Sequence, residues 1–412
     1  MTSYDGLERD LTAWMVDVAT PSVPDYTDDV VRLTAGRRQR PRWTFPERWP
    51  FMSVDALERV PTSPLPWRTV GLLAVIAALL ISLVVVSIGS QRRAADPFGL
   101  AANGLVSYAA AGDIWVVDPT TGSRRAVATG PEQDHDPRWS PDGTRIAFLR
   151  DVQGVQQVVI VAAEGGSPAL VASRKLGSVD PDAFKWAPDS RTIMTTADVT
   201  GFGAIVLIDA ADGAVTTLPV DYGNLEPFWR PPDGRELLFV SGWASKPALS
   251  LYSLDTGVTR DVPLAVRSGE ELRPMGWTPD GARVLLNRES AVDGQPHTYV
   301  IDAESGLSVD LPVGFGHVSN AGDRVAGVRG RSDEAICVID IDGGPCQGYG
   351  PGWAQPGGYH FTDLQWSPDD RWIVVKPLDR SQPILLDAVT GERATDADWL
   401  KSGADSWRRD AP

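Results

Sequence analysis

One short motif returns along most of this chain and restricts its fold more than any other feature. It is an aromatic residue, a Pro-Asp pair, usually a Gly, and then an apolar run. The copies are WSPDGTRIAFLR (139–150), WAPDSRTIMTT (186–196), RPPDGRELLFV (230–240), WTPDGARVLLN (277–287) and WSPDDRWIVVK (366–376). Pro presets φ, Asp accepts hydrogen bonds from its own backbone, and Gly adopts positive φ. Each copy therefore predicts a tight turn followed by a half-buried strand.

The spacing of the motif predicts the architecture. Its anchor positions are Trp139, Trp186, Trp229, Trp277, Val318 in a degenerate copy, Trp366 and Trp407, at steps of 47, 43, 48, 41, 48 and 41 residues. Between anchors, a second apolar run ends in Asp and a Gly turn, as in DIWVVDPTTG (113–122). No long helical pattern follows residue 93. A repeat of this period built from strands predicts an all-β, seven-bladed β-propeller. Six or eight blades remain open if the degenerate copy is miscounted.

The two ends of the repeat region complement each other. The first strand pair, GLVSYAAAGDIWVVDPTTG, has no Pro-Asp-Gly motif before it, and the last anchor, Trp407, has no strands after it. We therefore expect the C-terminal strand to pair beside residues 104–128 and complete the first blade, which removes the open edges. The predicted propeller covers residues 104–408, preceded by a linker at 94–103.

The motif residues themselves have a structural interpretation. The tryptophans fill the wedges between blades, and the aspartates fold the turns. The residues in this group are Trp139, Asp142, Trp186, Asp189, Trp229, Asp233, Trp277, Asp280, Trp366, Asp369 and Trp407.

At these residues the chain resembles the WxPDG repeats of the TolB-like, WD40-like β-propeller family. The resemblance covers roughly residues 103–408. It implies a propeller that serves as a binding scaffold, often for proteins or peptides, and it implies no fixed ligand.

A charge-free run of twenty residues, VGLLAVIAALLISLVVVSIG, extends from Val70 to Gly89. A helix of this length spans the ~30 Å hydrocarbon core of a bilayer. Residues 67–93 are thus predicted to be a transmembrane helix and its flanks. Arginines are more numerous before the run than just after it, which favours an inner N-terminus and an outer propeller. Because Arg far outnumbers Lys, as in GC-rich bacteria, the expected location is a bacterial cell membrane.

Residues 1–66 form a separate segment. LERDLTAWMVDV (7–18) and DYTDDVVRLTAGRRQR (25–40) predict one or two short helices on the cytoplasmic side. The segment either contacts a cytoplasmic partner or anionic lipid, or it is a solvated linker.

Charge and cysteine content narrow the class of protein. Residues 94–412 carry 44 acidic and 27 basic side chains, so phosphate repulsion excludes nucleic acid as a partner. Cys337 and Cys346 flank a predicted hairpin turn. They either form a disulfide, which an exported domain permits, or remain two small buried thiols.

Polar residues precede several anchors and are expected to ring one mouth of the channel. They are Asp134, His135, Asp136, Asp180, Asp182, Glu226, Glu271, His360 and Asp363. Such a ring either binds a ligand or reflects turn chemistry and solvation. The sequence contains no GxSxG, Walker loop, HExxH or CxxC, so no metal or cofactor is predicted.

The sequence therefore favours a membrane-anchored, non-catalytic binding or sensor protein that recognises a protein, peptide or cell-envelope ligand outside the membrane. Two alternatives stay open. One is a propeller enzyme, a lyase or hydrolase, with a carboxylate and His site at the channel mouth. The other is an envelope scaffold within a larger complex.

Overall fold

The computed structural model describes residues 95–411, with gaps at 173–178, 199–202, 224–225, 243–245, 267–270, 290–294, 330–334, 350–360, 378–382, 395–396, 398 and 401–403. The chain divides into two compact units, Met1–Ile88 and Gly89–Pro412. The predicted span at 70–89 and the predicted helices of residues 1–66 lie outside the described residues. Among the described residues, no helix has the length and apolar character needed to cross a membrane.

The described residues form seven antiparallel sheets, one for each blade. Blade 1 contains β1 (Ala102–Ala110), β2 (Asp113–Val117), β3 (Arg124–Ala128) and β27 (Ser406–Asp410). Blade 2 contains β4 (Gln133–Trp139), β5 (Arg145–Val152), β6 (Val155–Ala162) and β7 (Ala169–Ala172). Blade 3 contains β8 (Lys185–Trp186), β9 (Thr192–Asp198), β10 (Gly203–Asp209) and β11 (Val215–Thr217). Blade 4 contains β12 (Phe228–Trp229), β13 (Glu236–Ser241), β14 (Ala248–Ser253) and β15 (Thr259–Asp261).

Blades 5 and 6 repeat this four-stranded plan, and blade 7 has three strands among the described residues. Blade 5 contains β16 (Arg273–Trp277), β17 (Arg283–Glu289), β18 (Pro296–Asp302) and β19 (Ser308–Leu311). Blade 6 contains β20 (Gly314–Val318), β21 (Arg324–Arg329), β22 (Ala335–Asp340) and β23 (Gln347–Tyr349). Blade 7 contains β24 (Phe361–Trp366), β25 (Trp372–Pro377) and β26 (Ile384–Asp387). The all-β, seven-bladed propeller predicted from the repeat is confirmed.

The last strand closes the ring. β27 pairs antiparallel with β1, with Val106 opposite Trp407 and Ser107 opposite Ser406. It occupies the innermost position of blade 1, the place that β4 takes in blade 2. β27 and β8 both contact β4, so the innermost strands are neighbours around the channel.

The hydrophobic core is divided into seven clusters, each shared by two successive blades. In blades 2 and 3, Leu149 packs with Trp186 and Val206. In blades 7 and 1, Val374 packs with Val106 and Trp407. The anchor tryptophans are 6–8% exposed. Each blade thus needs its neighbours to bury its faces, and the seventh interface closes the ring.

The Pro-Asp-Gly turns hold the inner strands to the second strands. In blade 2, the Asp142 carboxylate accepts hydrogen bonds from the Ser140 hydroxyl at 2.6 Å and the Thr144 amide at 3.0 Å. Burial raises the pKa of Asp142, but these hydrogen bonds outweigh it and lower the pKa below its ordinary value. Gly143 has φ +67°, which an L side chain rarely adopts.

Arginines cover several of the anchor tryptophans from the preceding blade. The Arg145 guanidinium lies 5.2 Å from the Trp186 ring centre, and Arg408 lies 5.4 Å from that of Trp139. Such cation–π contacts stabilise by about 0.5–2 kcal/mol. They place a charged group over these tryptophans, which a hydrophobic pattern alone does not reveal.

Blade 6 carries the disulfide. Cys337 and Cys346 are joined, with their Cα atoms 5.7 Å apart. Cys337 lies on β22 and is fully buried. The bond ties β22 to the segment that leads into β23, at the blade whose anchor tryptophan is replaced by Val318.

The inner strands run in one direction and define two mouths of the channel. The start mouth is formed where the inner strands begin, and the turn mouth is formed where they end in the Pro-Asp-Gly turns. Gln133 on β4 marks the first and Trp139 the second.

Candidate functional site

The structure places the predicted mouth residues at the beginnings of successive inner strands. His135 lies near the start of β4, and Glu226 and Glu271 precede β12 and β16. Asp363 pairs with Lys376 at the start of β24. His360 and the side chain of Asp363 lie outside what the structure describes.

His135 and Asp136 form the closest titratable pair at this mouth. The His135 Nδ1 atom lies 2.6 Å from Asp136 Oδ2, and its Nε2 atom lies 3.4 Å from Asp151 Oδ2. The hydrogen bond to Asp136 is the main cause that raises the pKa of His135 above 6.5, and burial partly opposes it. Burial would raise the pKa of Asp136, but the contacts with His135 and Arg138 lower it overall.

A bulge in β4 makes this pairing of adjacent residues possible. The register with β5 shifts between His135 and Arg138, and Asp136 has φ +52°. Neighbouring residues of a regular strand point to opposite faces, so they do not pair in this way. Asp is one of the few non-glycine residues that tolerate this conformation. Strained backbone of this kind concentrates at functional sites.

Two cations lie close to the pair. Arg138 and Lys376 both act electrostatically on Asp136. The Arg138 guanidinium donates to the carbonyl oxygens of Asp405 at 3.4 Å and Pro181 at 3.3 Å. Lys376 Nζ lies 3.8 Å from the Asp405 carboxylate. We call His135, Asp136, Arg138, Asp151 and Lys376 the His135 cluster.

Other predicted residues have local partners instead. Asp134 is buried, with both carboxylate oxygens on Arg150 at 2.6 and 2.8 Å. Because its side chain is only 1% exposed, Asp134 does not face the open channel.

The mouth residues of blades 3 to 5 are arranged differently. The Asp180 carboxylate accepts a hydrogen bond from the Asp182 amide at 3.0 Å within a turn. Glu226 pairs with Lys185 at 2.9 Å, and Lys185 also lies 3.8 Å from the Phe228 ring centre. Glu271 is exposed. These residues line the mouth but do not join the His135 cluster.

The mouth residues predicted from the sequence do not include Arg138, Asp151 and Lys376. Arg138 directly precedes an anchor tryptophan. Asp151 and Lys376 lie at the far ends of β5 and β25, opposite the starts of their inner strands. Because the two strands are antiparallel, the end of the second strand lies beside the start of the inner strand. Alignment of the repeats therefore places these residues at the same mouth.

The cluster has the form of an oriented base. An imidazole that donates from Nδ1 to a carboxylate carries a lone pair on Nε2. Here Nε2 is covered and makes no well-aligned hydrogen bond, and Asp151, which covers it, is 45% exposed. Nε2 would be exposed only if this carboxylate moved aside. Within the described part of the chain, no group of three or more metal-ligating side chains is arranged to hold a metal.

A separate cavity of about 600 Å³ lies at the opposite, turn mouth. Asn320, Pro279 and Phe98 contribute to its wall. It contains none of the His135 cluster, so the cavity and the candidate chemistry lie at different ends of the channel. We assign chemistry from the side chains, because general base catalysis requires a titratable group near its substrate.

No family model matches the chain. A 55-residue part, 13% of the chain, is 40% identical to the uncharacterized peptidase YuxL of Bacillus subtilis (strain 168), and spans 8% of that protein. Among solved structures, a puromycin-hydrolyzing peptidase of Mycobacterium tuberculosis superposes with a TM-score of 0.52 at 16% identity, covering 73% of this chain and 55% of that chain. TolB from Acinetobacter baumannii has a TM-score of 0.46 at 17% identity, covering 74% and 82%.

The superposition on the Mycobacterium tuberculosis peptidase supports the propeller fold, and the comparisons correct the functional expectation. The non-catalytic binding or sensor protein expected from the sequence is wrong, as is the expectation that the chain is not an enzyme, because the neighbours include peptidases. The physical reason is that WxPDG repeats specify turns and blade wedges. The same ring therefore forms whether its mouth binds or catalyses.

Proposed function

We propose that this protein is a propeller hydrolase that cleaves an acyl bond, a peptide or an ester, at the start mouth of its channel. The His135–Asp136 pair, at 2.6 Å, is the observation that carries the proposal. The peptidase names of the neighbours support the choice of acyl substrates.

In this proposal His135 is the general base. Nε2 takes a proton from water, and the water oxygen attacks the acyl carbon. The tetrahedral intermediate then collapses, the C–N or C–O bond breaks, and His135 returns the proton to the leaving group. Asp136 fixes the ring and stabilises the imidazolium that forms. Arg138 and Lys376 supply positive charge for the oxyanion.

The test uses the purified chain with chromogenic peptide anilides and phenyl esters. His135→Asn is expected to lower kcat/KM by about 10²- to 10⁴-fold, the usual contribution of a general base. His297→Asn is the matched control, because His297 also pairs with an aspartate, Asp310, at 2.6 Å, but on outer strands of blade 5. Equal activity in the two variants would refute the assignment.

Isotope labelling separates hydrolysis from the lyase alternative. In ¹⁸O water, a hydrolase places one labelled oxygen in the acyl product, whereas a lyase that abstracts a proton leaves an unsaturated product without label. An unsaturated, unlabelled product would retain His135 as the base and overturn the hydrolase.

We also propose that residues 70–89 anchor the enzyme in a bacterial membrane with the propeller outside. The charge-free sequence and the arginine distribution support this topology. Protease added to wall-stripped cells is expected to remove a C-terminal tag and spare an N-terminal one. The reverse pattern would invert the topology.

A further inference from the structure

A short segment lies against the turn mouth. We call residues 95–101 the strap. Ala95 and Ala101 at its ends are buried, whereas Leu100 is 57% exposed. Gly99 has φ +88°, which permits the bend in the middle of the strap.

Arg409 binds the strap through hydrogen bonds from its guanidinium. This residue lies on β27, the innermost strand of blade 1. Its guanidinium donates to the carbonyl oxygen of Asp96 at 3.2 Å and to that of Gly99. The third donor reaches Asn320 Oδ1 at 2.7 Å. Burial lowers the pKa of Arg409, in keeping with a guanidinium enclosed by these partners.

The hydrogen bonds of the strap and of Arg409 involve three adjacent blades. Arg409 belongs to blade 1, Asn320 follows the inner strand of blade 6, and the Ala101 amide donates to Pro368 O of blade 7 at 2.9 Å. The cavity of about 600 Å³ under the strap is also lined by Pro232 of blade 4 and Thr278 of blade 5. The strap and the turns that follow the inner strands of blades 4, 5 and 6 together form the wall of this cavity, so the strap lies at the turn mouth.

We infer that the strap is a latched cover of the turn mouth, with Arg409 as its latch. When the strap is docked, the channel opens through the start mouth, where the His135 cluster lies. When it is released, the cavity beneath becomes accessible from the turn side. The strap is the first described part of the propeller unit in chain order.

Hydrogen exchange measures the latch without reference to enzyme activity. The Ala101 amide reports docking through its bond to Pro368. Arg409→Gln removes a charged donor to two carbonyls, and each such bond is strong enough that exchange at Ala101 should accelerate at least ten-fold. Gly99→Ala leaves Arg409 intact. Its Cβ would meet no atom within 4 Å, so backbone strain alone is expected to accelerate exchange about five- to thirty-fold.

Arg408→Gln is the matched control. Arg408 neighbours the latch on β27, but it pairs with Asp410 at 2.7 and 2.8 Å and covers Trp139. We expect exchange at Ala101 to stay within about two-fold in this variant. An equal acceleration in Arg408→Gln and Arg409→Gln would trace the effect to fraying of β27 and overturn the latch.

Thiol labelling tests the cover itself. Thr278 is 1% exposed and lines the cavity, and the native cysteines are paired. Thr278→Cys is placed in the wild-type and Arg409→Gln backgrounds, so that its own cost cancels. A bulky maleimide should react at least ten-fold faster in the second background. Equal rates would show that the strap does not cover the mouth.

Discussion

Replacing Trp407 by alanine tests how the ring is closed. Trp407 is 7% exposed and packs in the cluster that joins blade 7 to blade 1. Its ring lies 5.7 Å from that of Trp399 in an edge-on contact. Truncation of a buried tryptophan costs about 3–5 kcal/mol. We therefore expect the free energy of unfolding, measured in urea, to fall by that amount.

The position of Trp407 predicts a second effect. β27 is a terminal strand of five residues, and its pairing with β1 is the only strand pairing it makes within the described chain. Losing the anchor should release β27 locally, so that exchange of the Ser107 amide, which faces β27, accelerates at denaturant concentrations where the other blades remain protected.

Trp229→Ala is the matched comparison. Trp229 is 6% exposed and anchors blade 4 inside the chain. Its loss should also cost about 3–5 kcal/mol and leave exchange at Ser107 unchanged except through global unfolding. If Trp407→Ala costs less than about 1 kcal/mol, or if both variants affect β1 equally, closure by the C-terminal strand does not stabilise the ring as argued.

Three further predictions follow from buried or paired groups. Asp134→Ala leaves the Arg150 charge without its bidentate partner and should cost about 3–5 kcal/mol in urea unfolding; a cost below 1 kcal/mol would contradict it. Cys337→Ser with Cys346→Ser removes a cross-link over nine residues and should cost about 2–3 kcal/mol, with no further loss on adding reductant; a stability equal to that of the oxidised wild type would contradict it. The pKa of His135 is raised in the folded protein, so its protonation stabilises the fold fully below about pH 6.5 and this contribution is lost as pH rises through the folded pKa. The stability difference between wild type and His135→Asn should therefore shrink over that rise, and a difference that grows instead would show the opposite sign.

The same titration predicts the pH dependence of the proposed hydrolysis. The base must be neutral, so kcat/KM should rise with pH through a pKa above 6.5, the ordinary value from which His135 is raised. Asp136→Asn removes the main cause of the shift and should move the acid limb to lower pH. An acid limb that stays in place in this variant would separate the activity from the His135–Asp136 pair.

Local chemistry made the fold predictable. Each WxPDG copy contains a turn that Asp142 and its equivalents fold within a few residues, and a strand whose anchor needs a neighbouring blade. Counting copies gave seven blades, including the one in which Val318 replaces tryptophan. β1 has no Pro-Asp-Gly motif before it, and Trp407 has no strands after it. These two features together predicted the closing strand.

The candidate site was predictable only in part. His135 and Asp136 stand before an anchor tryptophan, so their place at the mouth followed from the repeat. Their pairing did not, because it depends on a bulge and on Asp136 at positive φ. Asp134 belongs to the same short run but is buried against Arg150. Composition does not separate the three, since a one-residue change of register sends a side chain to the other face.

The sequence by itself indicated a ring of seven blades and the strand that closes it, because turns and wedges depend on residues close together in each repeat. Tertiary structure decided which charges meet. Lys376 comes to the His135 cluster through the closing of the ring, and Arg409 reaches the strap from the far end of the chain. Such contacts depend on distances between blades, which no local pattern encodes.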